Sequence, residues 1–265
     1  MGIGPLRFTG TDFIRKNFMA TASYVLRRGF YRRHSFGLGY SYTEISDSIH
    51  NFYNKRYFNT GKSKAAFTDI SYNYQYINTN NVNYPLTGKL FTLTLAKRGF
   101  GWEGGLNMFS VDANYNRYFK HSAKWYSMLQ THVKLKTDSR AYINQAAMGY
   151  GDFYLQGLEK YVIDGWVTAL ARYTLKRKLV SFKIPVPLAN KHLNDIPVTI
   201  FAKTYANTGF SGIQKEFDTK FGNRFLYSGG FGIDVLTLYD LNFRIEYSFN
   251  QLGEKGLFLH AKGGF

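Results

Sequence analysis

Apolar and polar residues alternate along most of this chain. Phe36, Leu38, Tyr40 and Tyr42 fall on one face, with Ser35, Gly37, Gly39, Ser41 and Thr43 on the other. Ile70, Tyr72, Tyr74 and Tyr76 oppose Asp69, Ser71, Asn73 and Gln75, and Leu241, Phe243, Ile245, Tyr247 and Phe249 oppose Asn242, Arg244, Glu246, Ser248 and Asn250. A period of two over such lengths predicts strands, because successive side chains of a strand point to opposite faces. Weaker stretches of the same kind cover residues 17–26, 91–97, 109–118, 125–136, 166–176, 198–207, 231–238 and 257–265. The chain therefore reads as all-β with about eleven strands, many near the 9–11 residues needed to cross a bilayer at a tilt. Bacterial barrels close with an even number of strands. A twelfth is expected in residues 5–13, or else opening strands are missing.

The connections alternate in length. Residues 29–32 and 239–240 read as short turns, and 48–64, 137–164, 181–195 and 212–226 as long loops. Short turns on one side and long loops on the other is the arrangement of outer-membrane barrels. Nothing marks a boundary inside residues 1–265, which are expected to form a single barrel domain.

A soluble sandwich or lipocalin-like barrel is the competing fold. The polar face argues against it, being mostly Ser, Thr, Asn, Gln and Gly, as suits a wet interior. The apolar face carries large rings on nearly every segment. With 22 Tyr and 24 Phe, aromatic residues make up 18% of the chain, more than a small soluble interior would hold. A lipid-facing exterior with aromatic girdles has room for them. Charged residues are 19%, below the roughly 25% of a soluble domain. The expected fold is a transmembrane antiparallel β-barrel, integral to a Gram-negative outer membrane and in contact with its lipids.

The net charge of +17 raises the possibility of nucleic-acid binding. The basic residues cluster, however, at what read as segment ends: Arg27-Arg28, Arg32-Arg33, Lys62 and Lys64, Lys97-Arg98 and Lys176-Arg177-Lys178. Basic girdles beside anionic headgroups fit that placement better, and no nucleic-acid partner is expected. The chain has no cysteine, which excludes disulfides and thiolate metal sites. It contains no apolar run of transmembrane-helix length. The first residues do not read as a secretory signal, so the chain is expected to be a mature or shortened form, or the C-terminal part of something longer.

Signals for enzymatic chemistry are poor. The six histidines, His34, His50, His121, His132, His192 and His260, show no metal-ligand spacing. There is no G-x-S-x-G, and without cysteine there is no Cys–His pair. Gly229-Gly230-Phe231-Gly232 lacks the Lys-Ser/Thr ending of a phosphate loop and reads as strand or bulge. No catalytic residue, metal or cofactor is expected.

Two segments carry more specific information. At the C-terminus Leu257, Leu259, Ala261, Gly263 and Phe265 alternate into a terminal aromatic, which looks like the signal by which outer-membrane proteins are recognised for assembly. Within 137–164, residues 149–165 contain Leu155-Gln156-Gly157-Leu158 followed by Tyr161-Val162-Ile163-Asp164-Gly165. This stretch resembles the inward-folded loop of the BamA-like superfamily (bacterial surface antigens, which include outer-membrane assembly factors and two-partner transporters), where the motif is Val/Leu-Arg-Gly-Phe/Tyr. The similarity continues through Tyr205-Ala206-Asn207-Thr208-Gly209, residues 227–234 and residues 240–265.

That family's barrel has about sixteen strands preceded by POTRA domains, so the resemblance implies a C-terminal barrel portion. It also implies that a loop arginine pairs with acids on two strands inside the barrel. Here the arginine position is Gln156, the strand aspartate is Asn207, and the second acidic position is Arg172. Since one unpaired charge in a confined site is costly, the joint change reads as compensation. Gln156 is expected to hydrogen-bond Asn207 and to accept from Arg172, with Gly209 in the same motif. The function implied is insertion, assembly or translocation of proteins at the outer membrane. Client outer-membrane proteins would be the partners, along with accessory lipoproteins or a POTRA-bearing chain. A passive porin and a structural barrel fragment are the rival readings.

Overall fold

The computed structural model describes residues 13–102, 105–137, 140–149, 153–185, 195–214, 220–237 and 241–262. Eleven antiparallel strands form one continuous sheet. They are β1 (Arg15–Arg28), β2 (Arg32–Ile45), β3 (Lys64–Thr79), β4 (Gly88–Arg98), β5 (Met108–Lys120), β6 (Trp125–Lys136), β9 (Val167–Pro185), β10 (Asp195–Gly212), β11 (Arg224–Leu236), β12 (Asn242–Asn250) and β13 (Lys255–Lys262). Each strand pairs with its neighbour in sequence. The one interruption lies between β6 and β9, where β7 (Ala146–Met148) and β8 (Ile163–Asp164) make a separate two-stranded ribbon inside the long loop. Among the described residues β1 and β13 do not pair, so the sheet stays open.

The two faces are inverted relative to a soluble protein. On β12, Phe243 and Phe249 are 47% and 48% exposed, whereas Glu246 and Ser248 are 0% and 1% exposed. On β11, Phe225, Tyr227 and Phe231 are exposed while Ser228 and Asp234 are buried. Rings outward and polar groups inward is what a membrane-crossing strand requires, since lipid solvates the outer face. Among the described residues no helix is long and apolar enough to cross a membrane. The register sets polar residues opposite one another, with one shift in the β9–β10 pairing at Ile200/Phe201. Ser35 lies opposite Asn73, Asn73 opposite Thr94, Gln130 opposite Arg172, and Arg172 opposite Asn207. A one-residue slip anywhere would place these polar groups in lipid.

Two expectations from the alternation need correction. Residues 181–185 and Asp195 are strand and not loop: β9 runs to Pro185 and β10 starts at Asp195, paired with each other to their ends. The two strands satisfy each other's backbone beyond the reach of β6, and the residues between them lie outside the described ones. For the same reason Lys176-Arg177-Lys178 lies within β9 and not at a strand end. Lys176 points inward to an acid, whereas Arg177 is exposed. The proposed strand in residues 5–13 falls, apart from Phe13, outside the described residues, as do Gly263 and Phe265.

Two apolar clusters lie away from the lipid face. One joins Met148, Leu155, Leu158 and Ile163 of the long loop to Leu170 of β9, Phe221 and Leu226. The other gathers Ile45, Phe58, Ala65, Phe67 and Leu106 around Ala141, at the start of the same loop. The loop is thus held at both ends. Lys136, at the end of β6, donates to the carbonyls of Asn144 (2.8 Å), Ala146 (2.6 Å) and Gly165 (3.1 Å), drawing its two stems together.

The inverted faces predict unequal sensitivity to substitution. Ile245→Arg on the lipid face should cost about 2–4 kcal/mol, whereas Ser71→Ala on the inner face should cost well under that. Denaturant unfolding in lipid vesicles reads both; equal losses would point to two packed faces and a soluble domain.

Candidate functional site

The loop of residues 137–164 folds against the inner face of the sheet, and the sequence allows this at two glycines. Gly157 has φ +84°, and a Cβ there would sit 3.2 Å from Ser248 Cβ and 3.4 Å from Phe249 O, so only glycine lets the loop tip approach β12 so closely. Gly209 on β10 leaves space for the loop's Leu155, whose Cδ1 would lie 2.7 Å from an added Cβ. Leu155 and Leu158, each 1% exposed, enter the apolar cluster from either side of Gln156.

Gln156 reaches a partner that the sequence did not indicate. Its Nε2 donates to Glu246 Oε1 (3.0 Å) and Oε2 (3.2 Å) on β12, rather than to Asn207. Asn207 instead accepts from Arg172 Nε (3.0 Å) and donates from Nδ2 to Ser228 (3.1 Å). Arg172 completes its set with Gln130 Oε1 (3.2 Å) and the carbonyl of Tyr154 (2.9 Å), so it does bind the loop, but through backbone. Leu257, Leu259 and Ala261 share the exposed face of β13, apart from this site.

Glu246 belongs to a buried charge network. Lys203 Nζ lies 2.5 Å from both Glu246 Oε1 and Asp234 Oδ1, so one ammonium serves two carboxylates. Lys176 stands 3.6 Å from the other oxygen of Asp234, which also accepts from the Tyr84 hydroxyl at 2.7 Å. Tyr84 comes from the β3–β4 connection and stacks its ring beneath Lys176 Nζ at 3.8 Å. Burial first, and then the facing Asp234 carboxylate, hold its phenol well above the usual value. Both acids are fully buried, and groups in such a setting persist only when each charge is paired and hydrogen-bonded. Beside the network a cavity of about 430 Å³ is lined by Tyr84, Asn116, Arg172, Lys203, Tyr205 and Arg244.

A third grouping ties the loop to the last strands. His260 Nε2 on β13 lies 3.4 Å from Glu159 Oε2 of the loop and 3.5 Å from Glu246 Oε2. Burial holds the Glu159 carboxyl above its ordinary range, against the lowering pull of His260. These three are the residues placed to hold a metal ion among those described. Sequence reading passed over Glu246, Asp234, Lys203 and His260. Their separations of up to 57 residues leave no local motif, and the only signal was a charged residue on the polar side of an alternating strand.

The geometry predicts that Gln156 couples to Glu246 more strongly than to Asn207. A double-mutant cycle of Gln156→Ala with Glu246→Gln should give a coupling of about 0.5–3 kcal/mol in folding stability. A cycle of Gln156→Ala with Asn207→Ala should give less, and the reverse order would mean the loop docks elsewhere.

Comparison with solved structures agrees with this architecture. BamA from Haemophilus ducreyi lacking POTRA domains 1–3 superposes with a TM-score of 0.66 at 16% identity, covering 94% of this chain and 54% of that one. CdiB from Escherichia coli superposes with a TM-score of 0.56 at 14% identity, covering 93% and 44%. This chain thus spans about half the length of each. No family model matches the sequence, and no curated protein does. At these identities the likeness is one of fold, and the chain is built on the BamA-like outer-membrane β-barrel plan.

Proposed function

We propose that this chain serves insertion, assembly or translocation of proteins at the outer membrane, acting on client outer-membrane proteins by positioning and not by covalent chemistry. One observation carries the reading: the loop of residues 137–164 is packed into the inner face by an apolar cluster, two glycine contacts and the Gln156–Glu246 bond. A passive pore needs an open interior, and a loop fixed in this way obstructs it. Accessory lipoproteins, or a POTRA-bearing chain, would bring clients to the sheet. The inner surface offers buried, internally paired charge.

The test is reconstitution in lipid vesicles with a small unfolded barrel protein as client. The expected outcome is several-fold faster client folding than in empty vesicles, with little steady ion conductance. Gly157→Val, which forces a side chain into the loop's contact with β12 and strains a positive φ, should raise conductance and slow client folding together. High conductance without client acceleration in the unaltered chain would establish the porin reading instead.

A further inference from the structure

We propose that Glu159, Glu246 and His260 form a binding site for a divalent transition-metal ion of the zinc class, which fastens the interior loop to β12 and β13. The spacing is the first argument. A tetrahedral ion held at roughly 2.0–2.2 Å by nitrogen and carboxylate oxygen separates its ligand atoms by about 3.3–3.6 Å. His260 Nε2 lies 3.4 Å from Glu159 Oε2 and 3.5 Å from Glu246 Oε2, and all three ligand atoms fall within 4.8 Å of one another. The second argument is burial. His260 Nε2 and Glu159 Oε1 are both buried, and Glu159 Oε1 has no hydrogen-bond partner. A histidine nitrogen set between two carboxylates, with a carboxylate oxygen left bare, has the arrangement of ligands around a shared centre.

The surroundings complete the site. Glu246 is fully buried, and its outward-turned Oε1 is held by Lys203 Nζ at 2.5 Å, leaving Oε2 toward His260. Gln156 Nε2 grips the same carboxylate, and second partners of this kind orient a ligand and tune its basicity. Gln156 itself is 6% exposed, and its Oε1 has no partner. Imidazole plus carboxylates without thiolate suits zinc and its divalent neighbours rather than copper(I) or calcium. The three ligands come from the loop, from β12 and from β13, whose outer edge is unpaired among the described residues. An ion there links the loop's position to that edge.

Untagged full-length chain, refolded in detergent and stripped with a chelator, is titrated with zinc chloride and, in parallel, with cobalt chloride. The expected result is one equivalent bound per chain, visible cobalt absorption typical of four-coordinate nitrogen/oxygen ligation, and slower proteolysis of residues 137–164 in the zinc form. His260→Ala and the near-isosteric Glu159→Gln should each abolish the cobalt bands. Gln156→Ala should weaken binding about 10- to 100-fold. His34→Ala, on the lipid face, should change nothing, and far-ultraviolet circular dichroism confirms that each variant has folded. Zinc uptake unchanged in folded His260→Ala, or no cobalt bands in the unaltered chain, would overturn the site. The trio would then be polar contacts that hold the loop without an ion.

Discussion

A strand that crosses a membrane must turn its large apolar side chains outward, and everything else in this molecule follows from that inversion. Phe, Tyr, Leu and Ile on the outer face are solvated by lipid and contribute nothing to an interior. The inner face is left with Ser, Thr, Asn, Gln and charged groups, which cannot form an oily core. Such an interior must be filled by water, by mutual hydrogen bonding or by something brought in from outside the sheet.

This chain uses the loop between β6 and β9 for that purpose. The loop imports the apolar residues that the inner face lacks, and Met148, Leu155, Leu158 and Ile163 build with Leu170 and Leu226 a small dry cluster on a polar wall. Beside it the charges of β9, β10, β11 and β12 neutralise one another, with Lys203 shared by Asp234 and Glu246. Leaving either acid without its lysine would strand a charge in a confined site, where attraction and desolvation both exceed their values in water. Loop and charge network meet at one carboxylate, Glu246, which binds Gln156 on one side and Lys203 on the other. Loop position and interior electrostatics are therefore one coupled arrangement.

Relative to the BamA-like pattern the polar partners have moved. Where that family is expected to pair a loop arginine with acids on the two strands after the loop, this chain has Gln156, Arg172 and Asn207, and the acid that meets the loop stands on β12. Arg172, on the wall, donates to the loop's backbone at Tyr154.

The strands, their facing and their order along the chain were legible in the sequence, because a period of two is a local property and each strand pairs with its neighbour. Alternation at residues 36–42, 70–76 and 241–249 specified both the element and its lipid-facing side. Local pattern misjudged residues 181–185 and Asp195, where β9 and β10 extend by pairing with each other and not by alternation. The loop was recognisable from Leu155-Gln156-Gly157-Leu158, and Gly157 and Gly209 do stand where it approaches the wall. What the loop touches was beyond sequence. The partner of Gln156 depends on how far the sheet bends between β10 and β12, and residues 90 positions apart meet only once that curvature exists. The same curvature carries His260 to Glu159 and Glu246. Spacing along a chain records neighbours within a strand, and only the tertiary structure decides which strands face a common point.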